Sequence, residues 1–306
     1  MERIIAADIK VVCLDLTNQY KKELSEFYNE KAEEKKIKAV QEAGDEDKKK
    51  WADDPEQGGS LPNLTNAIYN DLDQFINQEE NSYLKIYNPA ELFATKQKHD
   101  PKSYTVDGEW ERGAALYTVT PVEITKIISE AALDLVKDEM RDNAKVCLVY
   151  EEAHSLVPEW NSVTQEGDKE STNGTARAIL QGRKYGLGCL LITQRTANVT
   201  KTILNQCNTI FAMRTFDQTG KNFLANYFGE DYANILQNLD EREAVFYGKA
   251  SSCENPVHVR LNDQDNFREV FRDQYPPPDI SDIEDENDNG EDELEDSDDK
   301  DDGLPF

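Results

Sequence analysis

No apolar run in this sequence approaches the ~20 residues a helix needs to span a bilayer, and no cleavable apolar segment follows Met1. This excludes an ordinary membrane-spanning helix and predicts a cytoplasmic chain with no membrane partner. The five cysteines (Cys13, Cys147, Cys189, Cys207, Cys253) include no C-x-x-C pair, so a zinc site is not indicated. An odd count in a chain of 306 residues also speaks against a disulfide framework. Cys13, Cys147 and Cys189 fall in runs that read as buried strands, which predicts reduced core thiols. Positive charge is scarce: 34 Lys and Arg face 62 Asp and Glu, for a net charge of −28. A surface that grips nucleic acid everywhere is thereby excluded, because phosphate neutralisation needs clustered Lys and Arg. A ring with a locally basic lumen stays open. The phosphate-binding string G-x-x-x-x-G-K-[S/T] is absent as well. TGKNF around Lys221 and YGKAS around Lys249 lack its first glycine, and Lys221 is followed by Asn222.

The chain is long enough for one large or two small domains and a sizeable core. IKVVCLDL (Ile9–Leu16) is compact, apolar and rich in β-branched residues, and it delivers Asp15 near its end; buried parallel strands have this form. Residues 21–60 are dense in Lys and Glu and read as a solvated helix closing in a loop. Leu61, Leu64, Ile68, Leu72, Phe75 and Ile76 then share one helical face. Tyr83–Tyr87 and Ala115–Thr120 read as strands. Thr120, Pro121 and Glu123 form a helix start with N-cap, first-turn proline and capping-box acid, for a helix running to about Met140.

Beyond it, strands at Val146–Tyr150, Cys189–Thr193 and Thr209–Met213 alternate with helices at about Thr175–Tyr185 and Val199–Asn205. This alternation predicts a parallel α/β sheet, completed by strands near Ala244–Tyr247 and Val257–Leu261. A proline-containing linker (263–278) leads to residues 279–306, where fifteen Asp and Glu face one Lys and hold half the net charge. With so few apolar residues that tail cannot offset its ordering entropy, and disorder is predicted.

KVCLVYEEAHSLVP carries the chemistry. A buried strand that delivers Glu151 and Glu152 at its C-terminal end has the Walker B arrangement: one acid holds magnesium, usually through water, and the next orients the attacking water. Open α/β sheets bind ligands at that end of their strands. The plain alternative is a strand that stops at two solvated acids. The following strand, GLGCLLITQRT, ends in Thr193, Gln194 and Arg195, a polar tip beside the acids.

Together EEAHSLVP, QGRKYGLGCLLITQR and ILNQCNTIFAMR resemble the HerA family within the FtsK/HerA group of RecA-like motors, over about Val146–Asn262. IKVVCLDLTNQY is similar to the strand after the P-loop helix of that family, with Asp15 at the matching acid. The resemblance implies a RecA-like parallel sheet flanked by helices over residues 1–262, here missing the first strand and P-loop, with a charged helical insertion at about 21–60. It implies ATP and Mg2+ as cofactors, with Glu151, Asp15 and Thr193 binding the cofactor, Glu151 on the metal, Glu152 on the water and Gln194 at the γ-phosphate. Arg183 is the first candidate for an arginine finger offered to a neighbouring subunit, ahead of Arg177 and Arg195, although each could simply pair with local acids. His154 could couple the acids to the next loop or serve only packing.

A hexameric ring, double-stranded DNA and a nuclease or defence effector are the implied partners. Two departures stand out: the family has Asp before Glu where this chain has Glu151, and Walker A is missing. The second implies a truncated reading frame, a cloned fragment or a split enzyme completed by another polypeptide. A catalytically silent subunit that docks on repair or replication partners is the alternative. Finally, DDGLPF looks like the tip of single-stranded DNA-binding proteins, which implies that Phe306, Pro305, Asp302 and Asp301 engage a tip-binding protein. A merely solubilising tail would match by accident.

Overall fold

The computed structural model describes residues 1–54, 59–79, 81–93, 119–138, 140–159 and 168–279. In chain order α1 (Glu2–Ile5) leads to β1 (Lys10–Leu14), α2 (Gln19–Glu23), α3 (Glu30–Asp53), α4 (Pro62–Asp73) and β2 (Leu84–Tyr87). Next come α5 (Pro121–Val136), β3 (Arg141–Tyr150), α6 (Ala153–Leu156), α7 (Asp168–Gly182), β4 (Tyr185–Leu191) and α8 (Lys201–Leu204). The chain then runs through β5 (Thr209–Met213), α9 (Gln218–Phe228), α10 (Glu230–Ile235), β6 (Glu243–Gly248), β7 (Val257–Arg260) and α11 (Gln264–Gln274).

Four strands form a parallel sheet in the order β2-β1-β3-β4. Because successive side chains of a strand point to opposite faces, β1 and β3 feed two cores at once. Val12, Leu14, Leu148 and Tyr150 pack under α4, α5 and α7 with Leu64, Ile68, Leu72, Ile124 and Ile128. Val11, Cys13, Cys147 and Val149 pack on the opposite face with Ile5, Leu24, Phe27 and Tyr28. Full burial of one such side chain contributes roughly 1.5 to 3 kcal/mol. The Tyr150 hydroxyl would be costly in that setting, but it lies 2.9 Å from Ser129 Oγ. The apolar face predicted for residues 61–77 is buried in full.

The predicted start of α5 is present: Thr120 Oγ1 accepts from the Glu123 N–H at 3.2 Å, with Pro121 in the first turn. The helix ends at Val136, short of the expected Met140. Most of the strand expected at Ala115–Thr120 and the tail from residue 280 lie outside the described residues. The stretch expected as a linker carries α11.

Two expectations are corrected. Thr209–Met213 does not join the parallel sheet: β5 pairs antiparallel with β6, and β6 with β7, in a separate three-stranded sheet. Helical connections on either side of a strand do not specify its partner, and here β6 lies alongside instead, over a small core of Ala212, Leu224, Phe228, Leu236 and Val245. The charged run is a helix but not a wholly solvated one. Glu33, Val40, Asp47 and Trp51, at helical spacing along α3, are buried, and Asp47 accepts from the Asn63 and Leu64 N–H groups to cap α4.

α3 and α4 are fastened to the sheet by a buried ion cluster. Lys85 on β2 has no exposed surface, and its Nζ lies 2.5 Å from Glu33 and 2.6 Å from Asp71. Asp71 also accepts from the Tyr87 hydroxyl. Burial alone would lower the Lys85 pKa, but the two carboxylates outweigh it and the net shift is upward. Burial holds Glu33 above its ordinary value against the pull of Lys85. Among the described residues no helix is long and apolar enough to cross a membrane.

Removing the cation strands two buried acids, so Lys85→Met is expected to cost roughly 3 to 5 kcal/mol in urea unfolding. Adding Glu33→Gln should recover part of that loss; an unchanged midpoint in the single variant would show that the cluster contributes nothing.

Candidate functional site

The parallel pairing brings the carboxyl ends of β1, β3 and β4 to one edge. Asp15 follows β1 and is fully buried. Its carboxylate accepts from the Thr17 N–H (2.8 Å), the Thr17 hydroxyl (2.6 Å) and the Tyr20 N–H (3.0 Å), so it fixes the turn into α2. Glu151 follows β3, its N–H bound to the Leu14 carbonyl at 3.0 Å. One of its carboxylate oxygens accepts from the Tyr20 hydroxyl at 3.0 Å. Burial raises the Glu151 pKa above the usual carboxylate range, the Tyr20 hydroxyl pulls it back, and the Asp15 and Glu152 charges add to the rise.

Glu152 departs from ordinary backbone geometry. At φ 52° and ψ 48° it is left-handed, a region that costs an L-residue about 1 to 2 kcal/mol and where strain gathers at functional sites. The turn carries its side chain toward β4, where Oε1 accepts from Gln194 Nε2 at 3.1 Å. His154 Nδ1 lies 3.1 Å from Oε2, an oxygen that accepts no hydrogen bond. Thr193 Oγ1 sits 3.4 Å from the same His154 nitrogen and accepts from the Arg195 N–H at 3.0 Å.

Of the candidates read from sequence, Asp15, Glu151, Glu152, His154, Thr193, Gln194 and Arg195 therefore share one edge. Arg183 does not: it is exposed and precedes β4, whose seven residues separate it from Gln194 by roughly 20 Å or more. Arg177 is an exposed residue of α7. Phe306, Pro305, Asp302 and Asp301 lie outside the described residues. Sequence reading missed Thr17 and Tyr20. The acid followed two residues later by a hydroxyl is a turn signal that could have drawn attention to Thr17; nothing local marks Tyr20 as the partner of an acid 131 positions on.

The residues present fit half of a phosphoryl-transfer site. A half-buried acid and a second acid held by a polar strand tip suit a metal with its water ligands and an attacking water. Among the described residues no group of three or more His, Cys, Asp or Glu side chains converges to hold a metal by itself. No glycine-rich cradle for phosphate occurs in the sequence, so no hydrolytic step is derived for this chain alone.

An open parallel sheet with acids at the carboxyl ends of adjacent strands defines an α/β protein whose candidate site is that edge. No family model matches the chain. The DNA double-strand break repair helicase HerA of Pyrococcus furiosus is 27% identical over 128 residues, 41% of this chain and 21% of that protein. HerA of Sulfurisphaera tokodaii is 24% identical over 128 residues, 41% of this chain and 25% of that protein. The chain thus matches about a quarter or less of each relative's length. Among solved structures, the genome packaging NTPase B204 from Sulfolobus turreted icosahedral virus 2, in complex with sulfate, aligns over 85% of both chains at 14% identity and a TM-score of 0.47. The chain is a distant homologue of the HerA helicases.

Strain at Glu152 has a measurable consequence. Glycine adopts φ > 0 freely, so Glu152→Gly should be at least as stable as the parent by thermal melting despite losing the Gln194 bond. Glu152→Val, β-branched at the same φ, should melt below the parent. Equal losses in both variants would remove the argument for strain.

Proposed function

We propose that this chain is the acid-and-sensor part of a HerA-type ATPase that drives movement along double-stranded DNA, in a fragment or split form that needs a phosphate-binding loop from outside these residues. The carrying observation is the contact between the strained Glu152 and Gln194 across the ends of β3 and β4. On this reading residues 1–262 are a RecA-like core lacking its first strand and P-loop. Glu151 holds Mg2+ through water, Glu152 polarises the attacking water, and Gln194 with Thr193 reports the γ-phosphate. Arg183, remote from its own site, serves the next subunit of a hexameric ring, where an arginine stabilises transition-state charge. Asp15, already committed to its turn, sets the position of Tyr20 and through it Glu151.

A second reading, a catalytically silent subunit that docks on repair, replication or defence proteins, is favoured by the missing cradle. Turnover decides between them. The purified 306-residue chain should show negligible ATP hydrolysis alone and gain it when a polypeptide bearing a G-x-x-x-x-G-K-[S/T] loop is added, with Glu152→Gln abolishing the gain. Steady turnover by the chain alone, abolished by Glu152→Gln, would overturn the need for a loop in trans. No gain with any such polypeptide would favour the silent subunit.

The acidic tail is proposed as a tether, with Asp301 and Asp302 drawn to a basic rim and Pro305 and Phe306 anchored in an apolar pocket of a protein that binds single-stranded DNA-binding protein tips. A tail peptide should displace a labelled tip peptide from such a protein. Competition should collapse when Phe306 is deleted, although the net charge hardly changes. Equal competition by the truncated peptide would leave only a charged solubiliser.

A further inference from the structure

Cations are scarce in this chain, and many are taken by acids: Lys36, Lys85, Lys137, Arg242, Arg268 and Arg272 each sit against a carboxylate. The outward face of α7 differs. Its inner side, with Ala176, Ala178 and Ile179, is buried in the core. Lys169, Asn173, Arg177 and Leu180 are exposed at intervals of three or four positions, the spacing of one helical face. Arg183 and Lys184, also exposed, follow in the turn that closes the helix, where the Lys184 N–H still donates to the Gln181 carbonyl at 3.3 Å.

Glu170 is the one exposed acid of α7, and among the described residues none of the four cations pairs with a carboxylate. The helix dipole favours cations at a carboxyl end, which accounts for Arg183 and Lys184. It disfavours Lys169 in the first turn and does nothing for Arg177 in mid-helix. A chain with a net charge of −28 thus holds unpaired positive charge along a face about 20 Å long, with an exposed leucine between Arg177 and the closing turn.

We propose that this face is the docking place of the chain's own acidic segment Glu291–Asp296. That segment, EDELED, holds five acids and one apolar residue, Leu294. A leucine between acids is the complement of a leucine between cations: Leu294 covers Leu180, and the acids on its two sides meet Arg177 and the Arg183–Lys184 turn. The tether is long enough. Arg272 of α11 lies over Phe27, which belongs to the core on the opposite face of the sheet from α7, so the segment has to pass from one helix layer to the other, ~20 Å apart. The fifteen residues from Asp279 to Leu294 reach about 50 Å when extended. A tethered segment acts at an effective concentration near the millimolar range, so a few exposed ion pairs of about 0.2 to 1 kcal/mol each and one apolar contact populate the docked state. Docking itself does not depend on the functional reading above, but its consequence does: on that reading Arg183 serves a neighbouring subunit, a docked segment withholds it, and a partner that captures the tail at Phe306 releases it.

Carbodiimide coupling of carboxylates to lysines in the full chain, mapped by mass spectrometry, tests the contact. Lys184 should couple to the segment Glu291–Asp296 at least about fivefold more than Lys35 and Lys38, exposed lysines of α3, do. Arg177→Glu combined with Arg183→Glu should lower the Lys184 product about fivefold, as should salt at about 0.5 M. Leu294→Asp adds a charge but removes the apolar contact, and it should lower the product too; it lies far from any core, so it keeps the test open even if the arginine variants misfold. Equal coupling to the α3 lysines, an unchanged product in the double variant, or a rise with Leu294→Asp would each overturn the proposal. In a mixture of isotopically light and heavy chains the product should form within one chain; a product found only between chains would assign the face to a second copy instead. Duplex DNA protecting Lys184 equally in the parent and in a chain with Glu291, Glu293 and Glu295 changed to Gln would show that the segment does not occupy the face. Coupling is read without nucleotide, so a failure of ATP turnover leaves the docking place standing, and a failure of docking leaves the turnover test untouched.

Discussion

A parallel strand has to hide both of its faces, and that constraint governs this molecule. β1 and β3 meet it with period-two apolar residues that enter different cores on either side. Two covered strands held in register are rigid, so the residues just past their ends, Asp15, Glu151 and Glu152, emerge at fixed places. The helices on one side are held by the Lys85 cluster, in which a buried cation stands between two carboxylates from different helices. Such a cluster is more a device of position than of net stability.

At the strand ends the chemistry depends on how each acid is partnered. Asp15 is saturated by donors of its own turn. Burial keeps the proton affinity of Glu151 up, the Tyr20 hydroxyl opposes it, and the Asp15, Glu152 and Glu23 charges add to the rise. Glu152 is placed by a left-handed backbone and reaches across to β4. Three carboxylates within a few residues of adjacent strands thus have different environments, which is how a site divides tasks among identical groups.

β4, with Cys189 and Leu190 exposed, breaks the covering rule on the side where the site lacks a phosphate cradle. The distant likeness to HerA helicases is confined to a part of each relative.

Much was legible in the sequence. The β-branched runs before Asp15 and Glu151, the Thr120–Pro121–Glu123 helix start and the apolar face of residues 61–77 are local patterns. Strand and helix periodicity read them without knowledge of partners, and the acids at strand ends follow. What required tertiary structure was every choice of neighbour. β5 has the composition of an inner strand but lies in a separate antiparallel sheet, and Cys189 reads as core but lies at a bare edge. Nothing in NQYKK marks Tyr20 as the donor to Glu151, and the charged run of α3 hides a packed stripe. Pairing and burial are set by which surfaces meet in space, a long-range outcome that local composition does not encode. The sequence by itself determined the elements and the acids they deliver; the tertiary structure decided which strands adjoin, how each acid is partnered and which edge stays open.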